Sequence, residues 1–244
     1  MKNLFQKIIL LIALFLGWNS AYSQDGFTVV TRDLETWSTI GLKIKPVDQL
    51  DIRLEQGLRL RENSSVVDQI LTNLGFRIKP HKNIEFGLGL RYIYDQGQNL
   101  EFDNDFRINF DFAIRHKIER WSFKYRFRYQ NKNEIGLSTD DGDYYKHYIR
   151  FKVGAGYNIK NWKLDPKASV EIFRDMTQYT GGFDNFRWTL GTSYRTKRFG
   201  SFGAFYRMER ELNSSYPKTT SIIGLDYFYT IEKKKKSKSK NKVD

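Results

Sequence analysis

The stretch RWSFKYRFRYQN, residues 120–131, alternates between aromatic and polar side chains. One parity carries five aromatic residues, which are Trp121, Phe123, Tyr125, Phe127 and Tyr129. The other parity carries a mostly basic set, which is Lys124, Arg126, Arg128 and Gln130. Because successive side chains of a β-strand point to opposite faces, the pattern predicts a strand with one apolar and one basic face.

Three environments suit such a strand: a nucleic-acid-binding sheet, a soluble β-sandwich and a membrane β-barrel. A nucleic-acid-binding sheet needs aromatic and basic side chains on the same face, whereas the alternation here separates them. A sandwich accounts for the apolar face as core. It does not account for aromatic residues that gather near strand ends, as Trp121, Trp162 and Tyr129 do. Two aromatic belts around an aliphatic band are typical of a barrel in a bilayer.

The same alternation recurs from about residue 36 to residue 231. Apolar residues occupy every second position over residues 50–60, 84–94 and 106–114, and again over 149–157 and 188–194. Each run has a reach of roughly ten residues, which is the length that a tilted strand needs to cross a bilayer. The mature chain shows no convincing helical periodicity, so we expect an all-β domain.

The connections between these runs alternate in length. Short connections are expected at residues 46–49, 80–83, 119–120, 158–161 and 196–198. Longer polar ones are expected at residues 62–67, 96–104, 131–144, 175–184 and 211–218. Short periplasmic turns and longer outer loops are typical of outer-membrane barrels.

The expected fold is therefore a closed antiparallel transmembrane β-barrel of about twelve strands in the outer membrane. Eleven strands are clear from residue 36 onward, and residues 26–32 are the only candidate for a twelfth. An even number would place both termini in the periplasm. Closure removes the exposed edges of the sheet.

Three regions are predicted along the chain. Residues 1–23 read as a signal peptide, with Lys2 and Lys7 before an apolar run and a small-x-small site ending at Ser23. Residues 24–231 form the barrel. Residues 232–244 form a basic disordered tail, which either solubilises the chain or docks to anionic polymers or headgroups.

The net charge of +13 is not concentrated on one recognition surface. Residues 1–23 and 233–244 hold +8 of it, so residues 24–232 carry about +5. Because the barrel is expected to be exported, nucleic acid is not expected as a partner. The expected partners are outer-membrane lipid, the outer-membrane assembly machinery and an anionic small solute. The chain has no Cys, which excludes a disulfide framework and thiolate chemistry.

The polar face of the strands predicts a charge network inside the barrel. Its members are Arg53, Glu55, Arg91, Arg107, Asp111, Arg126, Arg128, Arg187, Arg207 and Glu209. Two interpretations stay open. In the first, paired long side chains close the interior as a structural plug. In the second, the arginines line an anion-selective conduit or ligand pocket, because the guanidinium fork suits carboxylates and phosphates.

No constellation in the sequence indicates catalysis. None of His81, His116 and His147 has a Ser two residues later, the arrangement that barrel lipases and deacylases place on one strand face. Two Asp-x-Asp pairs, at residues 103–105 and 141–143, lack an Asp-x-His partner, and residues 140–143 lack a full calcium loop. We therefore expect no enzymatic activity, no cofactor and no metal site.

Several strings resemble an outer-membrane family listed as domain of unknown function 2490. They are LEQGLRL (54–60), RYQNKNEIGLSTDDGDYYK (128–146), NIKNWKLDP (158–166), FRWTLGTSYR (186–195), FYRMERELN (205–213) and PKTTSIIGLDY (217–227). The resemblance covers about residues 30–231 and implies a signal peptide, a barrel and an outer-membrane location. It brings no activity or catalytic residues with it.

The expected function is that of a non-enzymatic porin-like conduit, a transporter or a structural accessory of the envelope. Two other classes remain: an outer-membrane enzyme acting on lipid or peptide, and an accessory subunit of a larger envelope complex.

Overall fold

A computed structural model describes residues 31–96, 102–136, 146–177, 182–196 and 199–232. These residues form eleven strands: β1 (Thr31–Val47), β2 (Leu50–Arg61), β3 (Val66–His81), β4 (Ile84–Gln96), β5 (Phe102–Ile118), β6 (Trp121–Glu134), β7 (Lys146–Tyr157), β8 (Leu164–Asp175), β9 (Asn185–Arg195), β10 (Ser201–Glu211) and β11 (Lys218–Glu232). The described residues contain no helix long and apolar enough to cross a membrane. The leader and the tail expected from the sequence lie outside these ranges, apart from Glu232.

The strands close into one barrel, as the alternating pattern predicts. Consecutive strands pair antiparallel from β1 to β11, and β1 closes the ring by pairing parallel with β11. The closing register runs from Thr31 opposite Lys218 to Lys45 opposite Glu232. All-β architecture and closure are therefore confirmed.

The strand count is eleven rather than twelve, and closure is not wholly antiparallel. Of the segment expected to supply a twelfth strand, Thr31 and Arg32 belong to β1, and residues 26–30 lie outside the described ranges. Both edges of β1 are already bonded, one to β2 and the other to β11. Among the described strands this leaves no open edge for another. An odd count makes the first and last strands run in the same direction.

The two-residue turns lie at one end of the barrel and the longest connections lie at the other, although connections of intermediate length occur at both. The short-turn end joins β1 to β2, β3 to β4 and β5 to β6 through two residues each. In the last of these turns, Glu119 adopts a left-handed φ of 50°. The long-loop end carries the longer connections, including residues 135–145 and 176–184. Thr31 lies at the long-loop end and Glu232 at the short-turn end.

The loop between β2 and β3 at the long-loop end has an unusual backbone. Glu62, Asn63 and Ser64 all have left-handed φ values, between 54° and 64°. The carboxylate of Asp33 on β1 accepts the backbone N–H groups of Asn63 at 3.0 Å and Glu62 at 3.3 Å. This contact stabilises the loop against the first strand of the barrel.

The two faces of strand β6 differ as the opening stretch predicts. Trp121, Tyr125, Phe127 and Tyr129 point outward and are 37–47% exposed. Lys124, Arg126 and Arg128 point inward and line an internal cavity. The aromatic side of the stretch is therefore the outer surface of the barrel, and the basic side faces its lumen.

Two inward aromatic rings fill space that glycines leave open near the barrel seam. The ring of Phe205 on β10 lies over Gly224 on β11, where a Cβ atom would overlap it. The ring of Phe228 lies over Gly41 in the same manner. Because these rings occupy the lumen, they narrow it on the β10–β11–β1 side.

Candidate functional site: the charged lumen

A row of charged side chains crosses the lumen wall from β6 to β10. The strand registers place Arg126 opposite Lys152, Lys152 opposite Glu171 and Glu171 opposite Arg187. Arg187 is in turn opposite Glu209. Arg126 and Lys152 are like charges, whereas Glu171 and Glu209 attract the cations that face them across the strands, so this side of the barrel is partly neutralised.

Glu171 on β8 is the centre of that row. Its side chain is 3% exposed and lies 2.7 Å from Arg126 and 2.8 Å from Arg150. Arg187 and Lys152 lie at 3.7 Å and 4.0 Å from its second oxygen. One carboxylate therefore compensates four cations, which leaves a net positive charge around it.

Two further acids in the lumen each bind one arginine. Asp111 on β5 accepts two hydrogen bonds from Arg128, at 2.6 Å and 2.8 Å, in a bidentate pair. Glu209 on β10 accepts the Nε–H of Arg187 at 2.8 Å. Such fork-to-carboxylate pairs are among the strongest polar contacts in proteins.

Five arginines that face the lumen have no carboxylate within ion-pair distance in the described part of the chain, and they are Arg53, Arg59, Arg91, Arg107 and Arg207. Arg59 donates to the amide oxygen of Gln69 at 2.8 Å, and Arg91 donates to that of Asn73 at 3.3 Å. Arg107 makes no side-chain hydrogen bond or ion pair with a described residue, and its Nε atom is buried without an acceptor. The side of the lumen where Arg59, Arg91 and Arg107 lie is strongly positive.

Aromatic side chains inside the barrel hold several of these guanidinium groups. The ring of Trp37 on β1 lies 3.7 Å from the Cζ atom of Arg59 and 4.8 Å from that of Arg207. The ring of Phe173 lies 4.3 Å from the Cζ atom of Arg150 and 4.5 Å from the Cζ atom of Arg187. A cation over an aromatic face is stabilised without being neutralised, so these contacts position the charges and preserve their sign.

The lumen toward the short-turn end has its own ion pairs. Glu85 lies 2.6 Å from Lys124 and 2.7 Å from Arg115, and Asp51 lies 2.6 Å from Lys79. Each acid is nearly inaccessible to solvent and meets more than one cation. This half is better compensated than the half near the long loops.

The side chains leave cavities inside the barrel. The one nearer the long loops has a volume of about 400 Å³ and is lined by Trp37, Arg59, Arg107 and Arg207, among others. A second cavity of about 210 Å³ lies nearer the short turns. Both are bordered by Arg53, Glu55, Asn73, Arg91, Arg126 and Arg128, so they adjoin.

All ten residues of the expected charge network face the lumen. Eight of them line the larger cavity, which are Arg53, Glu55, Arg91, Arg107, Arg126, Arg128, Arg187 and Arg207. Asp111 lines the smaller cavity, and Glu209 is bound to Arg187. They do not form one connected set of ion pairs. Arg91 and Arg107 stand apart from the acids, and Glu55 accepts an amide N–H of Asn73.

Sequence reasoning missed several members of the site. Arg59, Arg150 and Lys152 line the larger cavity, as do the aromatic residues Trp37, Phe205 and Phe228. The inward direction of these aromatic residues could have been predicted from strand parity. Phe205 shares its parity with Arg207 and Glu209, and Trp37 shares its parity with Asp33 and Glu35. An aromatic residue on the charged parity faces inward.

The residues considered for catalysis are dispersed. His147 lies on the outer face of β7, where its Nδ1 atom is 2.7 Å from the hydroxyl of Tyr129. Asp105 is bound to Lys132 at 2.5 Å, while the neighbouring Asp103 is exposed. The pair at residues 141–143 lies outside the described ranges. Within those ranges, no group of three His, Cys, Asp or Glu residues is arranged to hold a metal ion.

Comparison with known proteins identifies one family. No curated protein sequence matches the chain. The family model described as "Protein of unknown function (DUF2490)" matches residues 34–219, from the first strand of the barrel to the start of the last. That match covers most of the barrel, including both sides of the charged lumen. The chain therefore belongs to the DUF2490 family of proteins of unknown function.

Proposed function

We propose that this chain is an outer-membrane β-barrel with a non-enzymatic role, whose lumen admits small anions. The observation that carries the membrane assignment is the outer surface. Every strand exposes a large hydrophobic side chain by at least 43%, and these are Ile40, Leu54, Ile78, Phe86, Phe110, Phe127, Phe151, Val170, Leu190, Phe202 and Leu225. A soluble protein rarely exposes a continuous apolar surface of this extent, whereas hydrocarbon covers it at no cost.

The strand lengths and the aromatic positions support the same assignment. The strands contain 11–17 residues, and a tilted strand needs about 9–11 to cross a bilayer. At the short-turn end Trp121 packs on Tyr157, with ring centroids 4.8 Å apart. At the long-loop end Tyr94 stacks on Phe102 at 4.3 Å. Aromatic side chains at both ends of an apolar band suit the two membrane interfaces.

In this proposal the long loops face outward and the short turns face the periplasm. Glu232, where β11 ends, would then lie on the periplasmic side, within reach of the assembly machinery that inserts such barrels. Outer-membrane lipid is the partner of the apolar face. A periplasmic N-terminus stays a prediction without its premise of an even strand count, because β1 begins at Thr31 at the outer end in this orientation and the residues before Thr31 lie outside the described ranges.

The charge balance of the lumen supports a preference for anions. Ten basic and three acidic side chains line the larger cavity. The basic ones are Arg53, Arg59, Arg91, Arg107, Arg126, Arg128, Arg150, Lys152, Arg187 and Arg207, and the acidic ones are Glu55, Glu171 and Asp226. A cleft of one sign with low-dielectric walls concentrates counter-ions, so anions accumulate in the lumen and cations are depleted.

Planar-bilayer recording under a steep KCl gradient tests this function. We expect single-channel events. The sign of their reversal potential should show that chloride permeates faster than potassium. The double variant Arg91→Gln/Arg107→Gln should move that potential toward zero because it removes two uncompensated lumen charges. The control Arg210→Gln removes an outward-facing charge on β10 and should leave the potential unchanged. Cation preference, or a bilayer with no channel events, would contradict the conduit.

A further inference from the structure

Three of the larger cavity's arginines without an ion pair lie on one side of it. Arg59, Arg91 and Arg107 lie on β2, β4 and β5, while the acids on β5, β8 and β10 bind Arg126, Arg128, Arg150 and Arg187. Their described polar partners are the neutral amides of Gln69 and Asn73. Each amide accepts one of the five N–H donors of a guanidinium, so most donors of the three side chains remain available.

The strand register brings these like charges together. Arg91 and Arg107 are directly opposite each other on neighbouring strands, which is unfavourable for two cations. Arg59, Arg128 and Arg150 also lie close enough to Arg107 to repel it. Of the acids around this cavity, Glu171 is shared by four cations and Asp111 is bound to Arg128. Glu55 and Asp226 also line the cavity but form no ion pair with Arg59, Arg91 or Arg107.

A positive group of this kind, half-buried in the wall of the lumen, favours negative charge from another source. A cation without a counter-charge in a low-dielectric cavity is costly, and proteins pair such groups or bind an ion. No described carboxylate lies within ion-pair distance of Arg107. A solute anion that enters the cavity would supply the missing charge.

We propose that Arg59, Arg91 and Arg107 form a binding site for a dianionic tetrahedral oxyanion of the phosphate class. Each of the three guanidinium groups can donate two hydrogen bonds to the oxygens of such a group. A monovalent spherical ion has no set of separate oxygens to accept these paired hydrogen bonds. The cavity of about 400 Å³ holds either free phosphate or a phosphate on a small organic molecule. The site deepens the proposed function, because it names the class of anion that the lumen selects.

The contact with Trp37 supports a site rather than a mobile charge. Its ring lies 3.7 Å from the Cζ atom of Arg59, and its own N–H donates to Glu35 at 2.8 Å. The guanidinium is therefore held between an aromatic face and the amide oxygen of Gln69 before any ligand arrives. Preorganised donors of this kind lower the entropic cost of binding.

Equilibrium dialysis of inorganic phosphate against the protein in neutral detergent micelles, at constant ionic strength set by chloride, tests the site. We expect saturable binding at one site per chain. Arg107→Gln and Arg91→Gln should each weaken it by about tenfold or more, because each removes charged hydrogen bonds. The matched control Arg115→Gln removes an equal lumen charge that Glu85 already compensates, and should change the affinity by less than about twofold. Unchanged heat-modifiable migration on gels shows that each variant is folded.

Binding that does not saturate, or equal losses in Arg107→Gln and Arg115→Gln, would overturn the proposal. Competition by glycerol 3-phosphate identifies the source: displacement at lower concentration than free phosphate indicates a phosphate ester, and displacement only at higher concentration indicates the free oxyanion. The assay is independent of conduction. Phosphate binding without channel events would contradict the conduit and support this binding site. Anion-selective channels without saturable binding would support the conduit and contradict the binding site.

Discussion

Replacing Glu171 with Gln should destabilise the barrel by about 3–5 kcal/mol, which is the loss typical of removing one partner from a buried ion pair. The side chain is 3% exposed and touches Arg126, Arg150, Lys152 and Arg187. Gln keeps the size and removes the charge, so four cations would face one another without an acid among them. Denaturant unfolding in lipid vesicles, followed by tryptophan fluorescence, measures the change in the free energy of unfolding.

The control for this prediction is Glu62→Gln in the loop between β2 and β3. The side chain of Glu62 is 64% exposed and lies 3.6 Å from Arg61, so its ion pair is screened by water. We expect a change below about 1 kcal/mol. Equal effects at the two positions would show that Glu171 is not the centre of the lumen network.

Arginine placed on the outer face should prevent assembly where the same residue on the inner face is tolerated. Val170 is 47% exposed on the outside near the middle of β8, and its neighbour Ser169 lines a lumen cavity of about 390 Å³. Arg at the bilayer midplane costs about 2–4 kcal/mol, so Val170→Arg should lose most of the folded barrel. Ser169→Arg enters a hydrated space and should assemble.

Heat-modifiable migration on gels measures the folded fraction of both variants after equal expression. The two positions differ by one residue and receive the same side chain, so strand position and intrinsic propensity are matched. Assembly of both variants to the same extent would mean that the outer face of β8 does not meet hydrocarbon.

Much of this fold is predictable from the sequence because a strand has a strict two-residue period. The parity of residues 120–131 alone separates the outer aromatics from the inner Lys124, Arg126 and Arg128. The positions of the connections likewise predict which strand ends lie at the same end of the barrel. All ten predicted members of the lumen network face inward for the same reason.

Parity does not determine which strands meet at the seam or which charges meet across the lumen. The pairing of β1 with β11 joins residues nearly two hundred positions apart, and no local pattern specifies whether that pair is parallel. The four contacts of Glu171 depend on register and on side-chain reach across strands β6 to β9. The sequence around Arg107 likewise does not show that this residue lacks an acidic partner. It lacks one because the strand register places Arg91 and Lys132 opposite it on its two neighbouring strands.

The proposed function requires a barrel that spans the outer membrane with its long loops outward. Single-cysteine labelling of intact cells tests this topology most directly. The chain has no Cys, so Ser214→Cys in the β10–β11 loop and Lys160→Cys in the β7–β8 turn each give one reactive site. With an impermeant thiol reagent, we expect Ser214→Cys to react on intact cells. Lys160→Cys should react only after the outer membrane is permeabilised. Protection of both sites on intact cells, or the reverse order of labelling, would contradict the proposed membrane topology.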